Sequence, residues 1–249
     1  MPTPMIPALI LVIFAASFVQ ASAGFGFALV AVAILSLLAP LQQVTPLLAL
    51  LNVPVTVYLL LKLRRFLNLR AIWPLMAGVA VGVPFGVHVL VNWRQDVLLR
   101  ILGAVLLIAA VRSATRNSQE AASGCQQPGA IDSALALGAG WVSGALGGAF
   151  GTSGPPLIAY VYCRPWGKEQ RTAALQALFF LVILFAIPMF CVKGLYDTAL
   201  LKTAGLCVPG AVAGMVLGHA LFRKIPRRAL ELFVAAFLTL IGIKLLVWA

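Results

Sequence analysis

The chain has little charge. Only 10% of its 249 residues are Asp, Glu, Lys or Arg, whereas a soluble domain carries about 25%. Carboxylates are scarcest: Asp96, Glu120, Asp132, Glu169, Asp197 and Glu231 all lie in loops or near the ends of apolar runs. With none at a membrane centre, a carboxylate proton relay or carboxylate-lined cation path is disfavoured, and an anionic or neutral substrate is favoured. Cysteines number four (Cys125, Cys163, Cys191, Cys207), with no C-x-x-C pair, and three sit in or at the end of apolar runs. They read as small hydrophobic fillers, which removes the disulfide scaffold and the metal cluster from consideration. What fills the chain instead is apolar: 62% is Ala, Val, Ile, Leu, Met, Phe, Trp, Tyr or Cys, against about 45–50% apolar in soluble domains. A soluble enzyme and a disordered tail are excluded, and lipid is the expected solvent. The net charge of +12 would suggest nucleic acid in a soluble protein, but these cations fall between apolar runs and are read as topology signals. No nucleic-acid partner, cofactor or metal is expected.

Apolar runs fall at residues 5–23, 25–39, 46–61, 71–91, 97–111, 132–150, 155–164, 171–193, 199–222 and 229–248. Ala21-Ser22-Ala23 resembles a signal-peptidase site, but no Lys or Arg precedes the first run, so residues 1–23 are expected in the mature protein. The one polar stretch, 112–131, separates two halves that match each other. A shift of 125 puts Phe25, Gly26, Pro40 and Leu50 on Phe150, Gly151, Pro165 and Leu175, and a shift of 132 puts Gly78, Gly82 and Gly86 on Gly210, Gly214 and Gly218. The colinear order implies a duplication: a first repeat over 1–112, a linker loop over 113–131 and a second repeat over 132–249.

Charge decides how the repeats are related. If each glycine-rich break sits within one broken span, the loops on the two sides carry 8 Lys/Arg each. If each break is a hairpin tip, loops 62–70, 112–131, 164–171 and 223–228 share one side with 13, against 3 on the other. The positive-inside rule selects the hairpins, gives an odd number of crossings per half, inverts the repeats and puts both termini outside. Inverted repeats are a transporter signature, with the site near the midplane where they meet.

The breaks read Ser22-Ala23-Gly24-Phe25-Gly26-Phe27 and Gly147-Gly148-Ala149-Phe150-Gly151-Thr152-Ser153-Gly154-Pro155-Pro156. Glycine permits the reversal, and the prolines suit a first helical turn, so each tip opens onto a helix N-terminus that favours an anion. Substrate-binding candidates are therefore Gly24, Phe25, Gly26 and Phe27 from one tip and Gly151, Thr152, Ser153 and Gly154 from the other. Asn52 and Gln176, near-equivalent amides inside apolar runs, could donate N–H groups without burying charge, with Gln20 and Thr56 as weaker counterparts. Arg100 and Lys244 read as snorkelling cations, and His88 and His219 as packing or interfacial residues.

The second break with Pro155-Pro156-Leu157, the short helix, and Lys168 to Arg171-Thr172 opening a long apolar run resemble the TauE/SafE sulfite exporter family. The weaker first copy (Gly24-Phe25-Gly26, Pro40, the run from Thr45) and the glycine triplets fit too. The resemblance covers nearly the whole chain and implies a secondary transporter for sulfite, sulfonates or related anions.

A rival class is the rhomboid intramembrane serine protease, since Gly151-Thr152-Ser153-Gly154 matches G-x-S-G, His88 to Asn92 resembles H-x-x-x-N, and His219 could be a base. That chemistry needs Ser153 and His219 about 3 Å apart. In the hairpin topology Ser153 lies about 15 Å from the inside end, and His219 about a turn from it, and the repeat is left unexplained. A channel or scaffold is a third class. The reading is an all-α integral membrane protein of two inverted-topology repeats, with eight to ten helical segments including two Gly-rich hairpins. It sits in the cell membrane, a bacterial inner membrane, with a small anionic substrate and the lipid bilayer as partners, and it admits a homodimer.

Overall fold

In lipid every backbone N–H and C=O needs an internal partner, and apolar runs of this length meet that demand as helices. The computed structural model describes residues 6–23, 26–115, 130–221 and 227–248, and its elements are helical. They are α1 (Ile6–Ala23), α2 (Phe27–Leu35), α3 (Leu41–Leu63, extended by a 3-10 turn over Arg64–Phe66), α4 (Leu69–Asn92), α5 (Gln95–Thr115), α6 (Ala130–Phe150), α7 (Gly154–Tyr162), α8 (Lys168–Val192), α9 (Thr198–Leu221) and α10 (Arg227–Trp248). Stretches of α3, α4, α6, α8 and α9 are long and apolar enough to cross a membrane. The largest departure from the sequence boundaries is α3, which begins at Leu41, five residues before the apolar run, taking in Gln42, Gln43 and Thr45 and leaving Pro46 inside the helix.

Named contacts fix the helix directions. Gly78, Gly82 and Gly86 of α4 face Leu137, Trp141 and Ala145 of α6 in ascending order, so these helices run parallel. Gly210, Gly214 and Gly218 of α9 likewise ascend past Ile10, Phe14 and Phe18 of α1. Gly103 meets Leu246 while Gly242 meets Leu107, so α5 and α10 are antiparallel. Past the end of α8, the Tyr196 hydroxyl donates to the Pro46 carbonyl near the start of α3 (3.3 Å), so those two are antiparallel as well. Burial raises the Tyr196 pKa.

One arrangement satisfies all of these directions. Helices α3, α4, α5, α8, α9 and α10 run between two faces, one of them holding the cations Arg64, Arg65 and Arg164. The α1–α2 hairpin enters from the opposite face and α6–α7 from the basic face, so the halves are inverted. The α6 helix is about 31 Å long, enough to cross, yet the chain turns back after it. Asp132 at its start is bonded to both Tyr160 near the end of α7 and Arg164 just beyond it.

The halves are also interlocked. Helix α4 of the first packs on α6 of the second, and α9 of the second packs on α1 of the first, while α3 pairs with α8 and α5 with α10 across the divide. The glycine triplets make this possible. A Cβ added at Gly78, Gly82 or Gly86 would lie 2.3, 2.2 or 2.0 Å from a backbone oxygen of α6. The facing stripe, Gly140, Gly144 and Gly148, absent from the sequence reading, meets α4 backbone at 2.4, 2.6 and 2.5 Å. These approaches have no room for a side chain, as expected where small residues replace the hydrophobic effect in holding helices together.

Candidate functional site

Each break is built on a glycine with positive φ: Gly26 at +110° and Gly151 at +70°, matching positions of the two halves. In the second break the Gly151 N–H still donates to the Gly147 carbonyl (2.9 Å), and the left-handed turn then ends α6. Three residues reverse the chain, so that the Ser153 carbonyl accepts from Ser143 Oγ, back along α6. Gly147 makes room for this return, since a Cβ there would lie 3.2 Å from Ser153 Cβ. Ser153 is the N-cap of α7, but its side chain makes no capping hydrogen bond. Pro155 and Pro156 have no N–H, so fewer free donors stand at this N-terminus than at that of α2.

The two tips meet. A Cβ on Gly154 would lie 4.0 Å from Leu29 of α2, and Thr45 of α3 donates its buried hydroxyl to the Ala149 carbonyl of α6 (3.2 Å). Between them lies a cavity of about 20 Å³, room for about one water. Its lining draws on both halves: Ala28 opening α2, Leu48, Ala49 and Asn52 on α3, Gly147, Gly151 and Ser153 at the second break, and Phe179, Val182, Ile183 and Ala186 on α8. None of these side chains titrates, so any charge held there must come from a ligand.

Of the sequence candidates, the cavity brings together Asn52, Gly151 and Ser153. Gly26, Phe27, Thr152, Gly154 and Gln176 do not line it, and Gly24 and Phe25 lie outside the described residues. Phe27 is fully buried in the core, and so is Gln176. Thr152 is 1% exposed and its Oγ1 has no partner among the described residues. Gln20 and Thr56 do not aim at the cavity. Gln20 Nε2 donates to Asn52 Oδ1 at 3.0 Å, and Thr56 Oγ1 donates to the same oxygen at 3.2 Å.

Sequence reasoning missed the apolar wall. Residues 179, 182, 183 and 186 follow the i, i+3, i+4, i+7 pattern of one helix face, but on a helix apolar all round that pattern is masked. It also missed the tie at the base of the second hairpin. The Arg164 guanidinium is bonded to Asp132 and to the Tyr160 hydroxyl, lies 4.7 Å from that ring centroid, and its side chain is 11% exposed. At the corresponding positions of the first half stand Ala39, Pro7 and Leu35, which cannot form it.

The protease alternative finds no support. His88 and Asn92 are bonded to each other at the exposed end of α4 (3.1 Å). The helix bearing His219 packs chiefly on α1 and α3, whereas the Ser153 hairpin packs chiefly on α4 and α8.

Paired hairpins entering from opposite faces, interlocked spans and an uncharged cavity between the tips define a multi-pass membrane protein of the transporter class. The chain belongs to the sulfite exporter TauE/SafE family, whose match covers residues 9–245. These are membrane transport proteins and not enzymes. A relative from Cupriavidus necator described as a probable sulfite/organosulfonate exporter TauE is 27% identical over 210 residues, covering 82% of this chain and 79% of that protein. No solved structure gives a significant match.

Proposed function

We propose that this protein is a secondary transporter that exports a small sulfur-containing anion, such as sulfite or an organosulfonate, across the bacterial inner membrane. The observation that carries the reading is the cavity joining the two tips, where Asn52, Ser153 and Gly151 stand against an uncharged apolar wall. The anion is held between the two breaks, against Gly151 and Ser153 of the second, with Asn52 beside it. Hydroxyl and amide donors, with the positive ends of α2 and α7, replace part of the hydration that the anion loses. In its closed form the cavity holds about one water, so the substrate enters when the tips part. Rocking one repeat against the other then opens the site to each side in turn. The two repeats are residues 1–112 and 132–249, with 113–131 as the linker between them.

The test is thermal stabilisation of the purified protein by sulfite, sulfate, thiosulfate, small sulfonates and carboxylates. A substrate at a hundred times its Kd adds about 2.7 kcal/mol to stability. Ser153→Asp sets a carboxylate against the anion and is expected to weaken binding of the stabilising anion at least tenfold. Binding unchanged in that variant would remove the second break from the site.

A further inference from the structure

The amide of Asn52 has two faces of opposite use. Its Nδ2 hydrogens attract an anion, its Oδ1 repels one, and rotating the amide by half a turn exchanges them. In this structure Oδ1 is turned away from that task by two donors at once: Gln20 Nε2 from α1 at 3.0 Å and Thr56 Oγ1 from one turn along α3 at 3.2 Å. Gln20 is 2% exposed and Thr56 is fully buried, so both donors are shielded from water that could replace them. Neither lines the cavity, whereas Asn52 does. With Oδ1 engaged twice, Nδ2 is the polar atom of Asn52 left for the cavity. A flipped amide would set its hydrogens against the Gln20 N–H₂ group, so Gln20 would have to turn with it to restore the bond, whereas the Thr56 hydroxyl, able to donate or accept, tethers the amide in either sense.

We infer that Gln20 and Thr56 are positioning residues of the anion site: they never touch the substrate, but hold Asn52 with its N–H donors toward the cavity. This rests on the proposed site and assigns it a supporting layer, of the kind that fixes a binding group's orientation in other sites. It also ties the arm of the first hairpin to the site, because Gln20 stands three residues before the end of α1.

The experiment measures sulfite affinity of the purified full chain by titration calorimetry, alongside thermal unfolding without ligand. The variants are Asn52→Leu, Gln20→Met, Thr56→Val and Thr56→Ser, with Gln20→Met and Thr56→Val repeated in the Asn52→Leu background. Gln20→Met and Thr56→Val are expected to weaken sulfite binding about five- to tenfold each. Thr56→Ser keeps the hydroxyl and is expected to bind within twofold of wild type. In the Asn52→Leu background, neither Gln20→Met nor Thr56→Val should weaken binding further, because each acts through Asn52. A purely structural role would instead give losses that add in both backgrounds, and that additivity overturns the inference. So does wild-type affinity in both Gln20→Met and Thr56→Val while Asn52→Leu is impaired. If Asn52→Leu binds sulfite as well as wild type, or wild type binds none, the site reading itself falls and takes this inference with it.

Discussion

At the scale of single residues, the second break shows how much can rest on one backbone angle. Gly151 adopts φ +70°, and a Cβ there would find Thr45 at an ordinary 3.9 Å. Space is therefore not what demands glycine; the left-handed conformation is, at about 1–2 kcal/mol for any other residue. Gly151→Ala is expected to lower unfolding stability by that amount, while Gly138→Ala inside α6, where a Cβ meets nothing within 4 Å and φ is not positive, brings no loss. Thermal or denaturant unfolding of the two variants separates the cases. Such residues were partly legible in the sequence, because glycines at matched offsets in two halves mark a shared backbone need. Which residues would line a cavity was less so. Ser153 and Asn52 were found because a hydroxyl at a break and an amide in an apolar run are chemically conspicuous. Gln20 and Thr56 have the same conspicuous chemistry yet turn to Asn52, and Phe179 and Val182 have none although they form the wall. A side chain's direction depends on its neighbours in space, and spacing along one helix does not carry that information.

At the scale of elements, glycine stripes decide which helices touch. The triplet in α4 needed a partner, and the sequence offered no direct way to choose between helices. The answer, α6 with its own stripe at Gly140, Gly144 and Gly148, follows only when the i, i+4, i+8 pattern is sought in every segment. Valine at position 82 would set its Cβ 2.2 Å from the Trp141 carbonyl oxygen, which is backbone of a packed helix and has nowhere to move. Gly82→Val is expected to cost at least about 1–3 kcal/mol, the range for overpacking, and to lower the melting temperature or the yield of folded protein. The control is Gly205→Ala on α9, where a Cβ would meet open space and no loss is expected. Helix ends were read less well than helix existence. The apolar run begins at residue 46, but α3 starts at Leu41 and runs through both Pro46 and Pro54. In a bundle, neighbouring groups can take up the backbone partner that a proline frees.

At the scale of the whole molecule, the count of Lys and Arg by loop fixed the hairpin arrangement, and the helix directions agree with it. Two native thiols test that arrangement in the membrane. Cys163 is exposed beside Arg164 on the basic face, and Cys191 is exposed near the end of α8 on the other. In variants whose single remaining cysteine is one of these, a membrane-impermeant maleimide applied from outside is expected to label Cys191 in intact cells, and Cys163 only after the membrane is breached. Labelling of both from the same side would contradict the inverted repeats.

The interlocking of the halves has a consequence for manufacture. A ribosome delivers α1 well before the helix that clasps it, α9, with α2 to α8 made in between. Until then the α1 surface around Phe14 and Phe18 faces lipid or whatever helper protein attends insertion. Helix α4 waits less, because α6 follows two helices later. The α1 arm of the first hairpin thus cannot complete its native packing before α9 is made, whereas α4 can pair with α6 earlier.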